Sequence, residues 1–176
     1  MSTPDPIRLP SAMRGAILLL LAGLLGACAA PAPPTVSRDT PSSVSVMDKE
    51  LHPDRKRVVS AALSQLGTPY RYGGDNPRGF DCSGLVQYAH QSARIHVPRQ
   101  AGSQAAAARQ VPRHALRPGD LLFFRINDDK PSHVSIYLGD GRFVHAPSSG
   151  GHVSIESLDN PYWAPRLLHT GHYFPD

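Results

Sequence analysis

The sequence predicts an α+β domain over residues 52–176, in which helices come first and antiparallel strands follow. Three observations support this fold class. Apolar residues recur at helical spacing after Pro53 and again after Cys82. From Asp120 onward the apolar period changes to two, as it does in strands. Glycine-rich dipeptides separate these alternating segments, which is typical of hairpins.

The helical elements are predicted from their apolar stripes and their ends. The first helix begins at Pro53 and stops at Gly67. Asp81 is expected to cap a second helix from Cys82 to about Ser92. A short alanine-rich helix is expected over residues 100–109, and a loop over 68–79. The predicted buried stripes are Val58, Val59, Ala62, Leu63 and Leu66 in the first helix and Leu85, Val86 and Ala89 in the second.

The strands are predicted from alternating apolar and polar residues. Turns are expected at residues 139–141 and 150–151, where glycines cluster. The predicted strands are Asp120–Arg125, His133–Leu138, Arg142–Ala146, His152–Glu156 and Leu167–Tyr173.

The length and charge of the chain exclude some functional classes. A chain of 176 residues holds one domain of ordinary size with a tail, and no large multidomain assembly. The net charge of +4 is carried without a dense basic block, so the sequence contains no sign of nucleic-acid binding. Nothing in the composition indicates a disordered polyelectrolyte.

Residues 1–27 are predicted to be an export signal. Arg8 and Arg14 precede a short apolar run from Ala16 to Ala27, which is too short to span a bilayer. The end of this run, Leu25-Gly26-Ala27-Cys28, resembles a bacterial lipobox, which implies that Cys28 is lipidated after cleavage before it. By resemblance to Gram-negative lipoproteins, Ala29 rather than Asp implies the outer membrane, with the protein facing the periplasm. An ordinary signal peptide is the alternative.

Residues 28–51 are predicted to be the lipidated cysteine followed by a linker. Residues 29–50 contain four prolines and four serines and no periodic apolar pattern. We therefore expect a semi-extended tether between a membrane anchor and one folded domain.

Cys82 is the strongest candidate for a nucleophile. If Cys28 carries lipid, Cys82 is the only thiol left, so no intramolecular disulfide can form. Its place at the start of a helix favours the thiolate, because unpaired N–H groups and the helix dipole lower a thiol pKa there. A small buried hydrophobe is the alternative interpretation.

His133 and His145 are candidates for the base and for the group that orients it. They share a face of the sheet only if the loop between their strands has the right length. With a three-residue loop, Gly139-Asp140-Gly141, Leu138 pairs with Arg142 and the two histidines share a face. With a two-residue loop they point to opposite faces. We predict the three-residue loop, because Gly141 suits its left-handed position.

The other histidines have weaker claims to function. We expect surface positions for His52, His90, His96, His114 and His152. His169 and His172 have an unconvincing spacing for a metal, and the sequence lacks paired-cysteine and HExxH motifs. We therefore expect no metal and no cofactor.

A longer set of motifs carries a resemblance to a known family. The order and spacing of these motifs cover roughly residues 53–170. They resemble the NlpC family of papain-like cell-wall cysteine peptidases, which implies a papain-like fold and hydrolysis of peptidoglycan stem peptides. The motifs are Gly67-Thr68-Pro69-Tyr70, Gly73-Gly74, Phe80-Asp81-Cys82-Ser83-Gly84-Leu85-Val86, Pro98-Arg99, Pro118-Gly119-Asp120-Leu121, His133-Val134, Ile136-Tyr137-Leu138-Gly139 and Phe143-Val144-His145-Ala146.

The resemblance implies roles for individual residues. Cys82 matches the nucleophile, His133 the general base and His145 the third, polar position. Tyr70 matches a tyrosine beside the nucleophile that helps to hold the oxyanion, although loop packing is an alternative for it. Asp81 and Ser83 match residues associated with substrate binding, and a helix cap and a first-turn hydroxyl are their alternatives.

Three further residues are expected to bear on specificity. Many relatives have glycine where this chain has Ser135. We expect Ser135 to face the site beside His145. There it would narrow the groove or form a hydrogen bond with a histidine. Arg99 and Arg71 are candidates for recognising substrate carboxylates.

The resemblance leaves the exact reaction open. The bond cut is expected to be the D-alanyl–diaminopimelate cross-link, with the γ-D-glutamyl–diaminopimelate bond as the alternative. The expected partners are stem peptides and a lipid anchor, without nucleic acid, and the protein is expected to be a monomer. A cysteine amidase, an acyltransferase and a non-catalytic wall-binding lipoprotein are rival interpretations.

Overall fold

The computed structural model describes residues 51–126, 129–148 and 151–175. Cys28, the predicted signal peptide and nearly all of the predicted linker lie outside these residues, as does Gly150 of the second predicted turn. No helix in the described part of the chain is long and apolar enough to cross a membrane.

The architecture is α+β, as predicted. Three helices, α1 to α3, precede most of a six-stranded antiparallel sheet in the order β3-β8-β4-β5-β6-β7, and β1 pairs with β2 separately. The helices are α1 (Pro53–Leu63), α2 (Cys82–Gln91) and α3 (Ala101–Ala107); the strands are β1 (Asp75–Asn76), β2 (Gly79–Phe80), β3 (Arg109–Gln110), β4 (Leu121–Phe124), β5 (His133–Gly139), β6 (Arg142–His145), β7 (Ser154–Ser157) and β8 (Leu167–His172).

The predicted elements agree with this architecture to within a few residues at their ends. The short strands β1, β2 and β3 were not predicted, and neither were two 3₁₀ turns, Arg113–Ala115 and Ala164–Arg166. The first helix ends at Leu63, before Gly67, and Leu66 is exposed rather than buried.

The sheet has an apolar layer on each face. Val134 and Ile136 of β5 pack with α1 and α2, as their alternation predicts, in a cluster that includes Val58, Leu85 and Phe123. The other face carries a second cluster of Leu122, Phe124, Phe143, Leu158 and Trp163. Because side chains alternate along a strand, His133 is directed to this second face.

The loop between β5 and β6 is shorter than predicted. Gly139 pairs with Arg142, which leaves the two-residue turn Asp140–Gly141, and both of its residues have positive φ angles (51° and 71°) as a type I′ turn requires. The predicted pairing of Leu138 with Arg142 is therefore wrong. A register shift between Tyr137 and Gly139 compensates for the missing residue. Ile136 then pairs with Val144, the register that the longer loop would have given.

A buried ion pair fastens α1 to the start of β4. Arg55 Nη1 lies 2.7 Å from Asp120 Oδ1, and their side chains are 10% and 1% exposed. The same guanidinium donates to the Pro118 carbonyl and lies 4.2 Å from the centre of the Phe174 ring. Asp120 also accepts the backbone N–H of Arg117, so both charges have several partners.

Removing Arg55 is expected to destabilise the fold far more than removing Arg57 two residues away. Arg55→Ala leaves the Asp120 carboxylate buried without its cation, a loss of about 3–5 kcal/mol in the free energy of unfolding. Arg57 forms an exposed pair with Asp54, which is worth roughly 0–1 kcal/mol. Urea denaturation of the two variants measures this difference. Equal losses would show that the Arg55–Asp120 pair is not a structural anchor.

Candidate active site

Cys82 is the first residue of α2, and the loop before it holds this helix start in place. Asp81 caps the helix as predicted, since its Oδ1 accepts the backbone N–H of Gly84 at 2.7 Å. A Cβ on Gly84 would collide with the carbonyl of Gly74, so only glycine allows the loop to approach so closely. Tyr70 and Gly73, on the same loop, thereby reach the cleft that Cys82 lines.

Cys82 is partly buried. Burial raises its pKa above the ordinary value, while the backbone N–H groups of Val134 and Ser83 act in the opposite direction and do not outweigh it. This differs from the expectation that the helix start alone would favour a thiolate. The sequence identifies the helix terminus, but it does not show how little water reaches the sulfur.

His133 and His145 meet directly. His133 Nε2 lies 2.9 Å from His145 Nδ1, and the ring planes are nearly perpendicular. Their side chains therefore share a face, as predicted, although the loop that joins their strands differs from the predicted one. If the shared proton is on His133 Nε2, His133 Nδ1 has a free lone pair with which to accept a proton from the thiol.

Both imidazoles are neutral at physiological pH. Burial, with a smaller contribution from the neighbouring His145, lowers the pKa of His133 to about 3. Burial also lowers the pKa of His145 to about 4. A neutral His133 is the protonation state that a general base needs.

Trp163 forms the wall behind this pair. Its ring stacks on His133 at 5.3 Å between centroids and meets His145 edge-on at 5.0 Å. Phe124 and Phe143 pack around the same indole. These contacts account for the burial of both imidazoles, and sequence reasoning assigned Trp163 no role in the site.

The cleft above the thiol has a volume of about 540 Å³ and contains most of the predicted site residues. His145 lies behind His133 and does not line it. Tyr70 lines it, and burial raises the pKa of its phenol, with the nearby Cys82 and Asp81 adding to the effect. The predicted residues that line the cleft are Tyr70, Asp81, Cys82, Ser83, Arg99 and His133.

Arg99 is held by the protein itself. Its two terminal nitrogens bind Asp81 Oδ1 and Oδ2 at 2.9 and 2.7 Å, and one of them also donates to Ser83 Oγ at 3.0 Å. Burial alone would raise the pKa of Asp81, but hydrogen bonds from Arg99, Gly84 and Ser83 hold it below its ordinary value. Arg99, Asp81 and Ser83 thus form one polar wall of the cleft. Arg71 is exposed and is absent from the lining.

Ser135 does not line the cleft. Its side chain is 1% exposed, and its Oγ has no hydrogen-bond partner among the described residues. The expectation that Ser135 narrows the groove or bonds a histidine is therefore wrong. It lies one residue beyond Val134 on the buried part of β5, out of reach of a ligand.

His90 is also misplaced by the sequence prediction. It is fully buried, and its Nδ1 lies 2.8 Å from the Val86 carbonyl. The rings of Tyr173 and Phe174 cover it, and burial lowers its pKa to about 4. His52, His96, His114 and His152 are exposed, as predicted.

Gln104 of α3 is a further residue that the sequence did not reveal. Its side chain is fully buried and donates to the carbonyls of Ser83 and Pro98, at 3.0 and 2.8 Å. It therefore ties the first turn of α2 to the segment that carries Arg99. Within the described part of the chain, no three histidine, cysteine or acidic side chains are close enough to hold a metal ion.

Comparison with known proteins places this site in a family. The model of the NlpC/P60 family matches residues 67–172, which include every residue described above in the cleft and behind it. The chain belongs to the NlpC/P60 family. Its members are cysteine peptidases that hydrolyse murein, and the predicted resemblance is confirmed.

Individual relatives are consistent with this family. The chain is 36% identical over 156 residues to "Probable endopeptidase NlpC" of Escherichia coli, covering 86% of this chain and 94% of that protein. It is 41% identical over 113 residues to "Murein DD-endopeptidase MepH" of the same organism, covering 61% of this chain but 42% of MepH. It thus spans less than half the length of MepH.

A solved structure supports the fold. The peptidoglycan hydrolase RipB of Mycobacterium tuberculosis superposes with a TM-score of 0.59 at 31% identity. The match covers 70% of this chain and 66% of RipB.

The raised thiol pKa predicts how Cys82 responds to alkylation. The folded thiol holds its proton more tightly than an exposed thiol does. The rate at which iodoacetamide alkylates Cys82 is therefore expected to rise at a higher pH than the rate for a short cysteine peptide. Stopped-flow alkylation from pH 5 to 10, on protein with Cys28 replaced by serine, measures the profile. A midpoint below that of the peptide would mean a thiolate–imidazolium pair in the free protein.

Proposed function

We propose that this protein is a peptidoglycan endopeptidase that hydrolyses the D-alanyl–diaminopimelate cross-link through a thioester on Cys82. The observation that carries the proposal is geometric. Cys82 and His133 line one cleft, and His145 Nδ1 lies 2.9 Å from the far nitrogen of His133. The printed name of MepH, a DD-endopeptidase, supports this choice of bond.

The first half of the reaction forms the acyl-enzyme. As the Cys82 sulfur attacks the scissile carbonyl carbon, the thiol proton moves to His133 Nδ1, which suits a protonated thiol beside a neutral imidazole. The tetrahedral oxyanion accepts hydrogen bonds from the backbone N–H of Cys82 and from the Tyr70 hydroxyl. The C–N bond then breaks, His133 returns the proton to the leaving nitrogen, and a free amine departs.

The second half consumes water. His133 Nδ1 takes a proton from a water molecule that attacks the thioester carbon. The C–S bond breaks, the proton returns to the sulfur, and the acyl fragment leaves as a carboxylic acid, which then loses its own proton to water. Throughout, His145 accepts the His133 Nε2–H and so maintains the tautomer that leaves Nδ1 reactive.

The polar wall is the expected acyl-side recognition surface. Arg99 is already paired with Asp81, so we expect Asp81 and Ser83 to contact substrate and Arg99 to hold them in place. Because the charges of Asp81 and Arg99 largely cancel, this wall does not repel a stem peptide that carries several carboxylates.

Defined muropeptides test the bond assignment. The purified protein is incubated with a cross-linked muropeptide dimer and, separately, with the uncross-linked monomer, and product masses are measured. Conversion of dimer to intact monomers, with the monomer untouched, is the expected result. Cleavage of the monomer after D-glutamate would replace the proposed bond with the γ-D-glutamyl–diaminopimelate bond. Release of an intact stem peptide would indicate an amidase.

The cellular location is part of the same proposal. We expect the lipid on Cys28 and residues 29–50 to tether the peptidase domain to the outer membrane, within reach of the wall. Cys28→Ser is expected to abolish labelling by radioactive palmitate and to release the protein from membranes. Retained labelling would contradict the lipobox assignment.

A further inference from the structure

A second, smaller cleft lies on the other side of His133. It has a volume of about 290 Å³. It shares Ile126, His133 and Ser148 with the catalytic cleft, so the two adjoin at these residues. Cys82 lines only the larger cleft, whereas Pro147, Tyr162 and Trp163 line only the smaller one.

The direction of the reaction assigns a side of the substrate to each cleft. The scissile carbon must lie within bonding reach of Cys82, so the acyl fragment occupies the larger cleft. The leaving nitrogen takes its proton from His133, so it lies next to that imidazole. The chain attached to this nitrogen therefore continues past His133, away from Cys82 and into the smaller cleft.

We propose that this smaller cleft, lined by Ile126, Pro147, Tyr162 and Trp163, is the leaving-group subsite and that it binds the methylene chain of diaminopimelate. The proposal rests on the function proposed above, because diaminopimelate supplies the leaving amine of both candidate bonds. It adds Tyr162 as a residue that determines specificity.

The character of the lining suits an aliphatic chain. Its lining contains an aliphatic side chain, a proline ring, two aromatic rings, the His133 imidazole and the Ser148 hydroxyl, and among the residues that the structure describes it includes no carboxylate or guanidinium. The larger cleft instead contains the Asp81–Arg99 ion pair. Only the larger cleft carries this pair of opposite charges, so the two clefts present different side chains to the two sides of the scissile bond.

Tyr162 is held in place before any ligand arrives. It meets Trp163 edge-on at 4.9 Å, and the Arg166 guanidinium lies 4.0 Å from the centre of its ring. Its backbone N–H donates to Asn160 Oδ1 at 2.9 Å. With 44% of its surface exposed, it offers a fixed aromatic surface to a ligand. Little conformational entropy is lost when a ligand packs on such a surface.

The sole tryptophan of the chain reports directly on this cleft. The Cys82→Ala protein is titrated with meso-diaminopimelyl-D-alanine, and with glycyl-D-alanine as the matched dipeptide without the chain. We expect a saturable change in Trp163 emission with the first ligand only. In the Tyr162→Ala background this binding should weaken about tenfold, the order expected for loss of one apolar contact surface. Leu168→Ala, an exposed apolar residue outside both clefts, is the control and should not weaken it.

Equal responses to the two dipeptides, no saturable response, or unchanged binding in Tyr162→Ala would each overturn the proposal.

Kinetics give an independent readout. Tyr162→Ala should lower kcat/KM about tenfold for the cross-linked dimer, and leave it unchanged for a substrate with the same acyl side and glycine as the leaving group. Equal losses on both substrates would contradict a leaving-group subsite. If the wild type cleaves neither, the proposed function fails, while the titration still decides the subsite.

Discussion

Replacing Cys82 by alanine is expected to lower turnover of a cross-linked muropeptide by roughly 10³-fold or more, as losing the nucleophile of a coupled triad does. Without the sulfur no thioester can form, and His133 has no group to deprotonate. The remaining cleft still binds substrate, so the loss should appear in kcat rather than in KM. Product formation is followed by chromatography of the released monomers.

The fold of this variant should be unchanged. The Cys82 side chain lies at the edge of the core, and Asp81, not Cys82, makes the capping hydrogen bond of α2. Circular dichroism and the thermal midpoint of Cys82→Ala should therefore match the wild type. Residual turnover above a few per cent in a folded variant would mean that another group is the nucleophile.

Replacing His133 by alanine is expected to lower kcat by roughly 10²–10⁴-fold, the usual contribution of a general base. In the proposed mechanism His145 acts only through His133, whose Nε2 lies 2.9 Å from His145 Nδ1. The double variant His133→Ala/His145→Ala should therefore be no slower than His133→Ala alone. Losses that multiply would mean that the two imidazoles act independently.

The role of His145 has its own control. His145→Asn keeps a side-chain oxygen that can accept the His133 Nε2–H, whereas His145→Ala keeps none. We expect asparagine to retain more activity than alanine at the same thermal stability. Equal losses in both variants would indicate that His145 contributes through packing against Trp163 rather than through its hydrogen bond.

Local signals in the sequence were sufficient for the helices, whereas the shared face of the histidines was predicted correctly from a loop length that is wrong. Asp81 caps α2 through contacts within three residues of itself, so its role is visible in the sequence. The turn at residues 139–141 was ambiguous, because Asp140 and Gly141 fit either loop length. The register shift at Leu138 restores the predicted pairing of the rest of β5 with β6. This shift is set by the pairing of Ile136 with Val144 across the two strands. Sequence spacing does not show this compensation.

Long-range contacts explain what could not be predicted. Trp163 follows His133 by thirty residues, and it covers the imidazoles only because the segment after β7 folds back over the sheet. Arg99 reaches Asp81 across eighteen residues, so its pairing is not visible in the sequence. His90 was detectable in part, since it lies four residues after Val86 on the buried stripe of α2. Its cover, Tyr173 and Phe174, comes from the end of the chain.

The raised pKa of the Cys82 thiol has the same origin. A helix start predicts a lowered pKa, but burial of the thiol outweighs that effect. In the proposed mechanism the thiol therefore gives up its proton as the substrate is attacked, and not before.

Mass spectrometry of muropeptides released from purified sacculi tests the central claim most directly. Wild-type protein and the folded Cys82→Ala variant are compared at equal concentration. The account predicts that wild type converts cross-linked dimers into intact monomers and that Cys82→Ala releases none. Sacculi left intact by a folded wild-type protein that still binds them would contradict it, and would indicate a wall-binding protein instead of a peptidase.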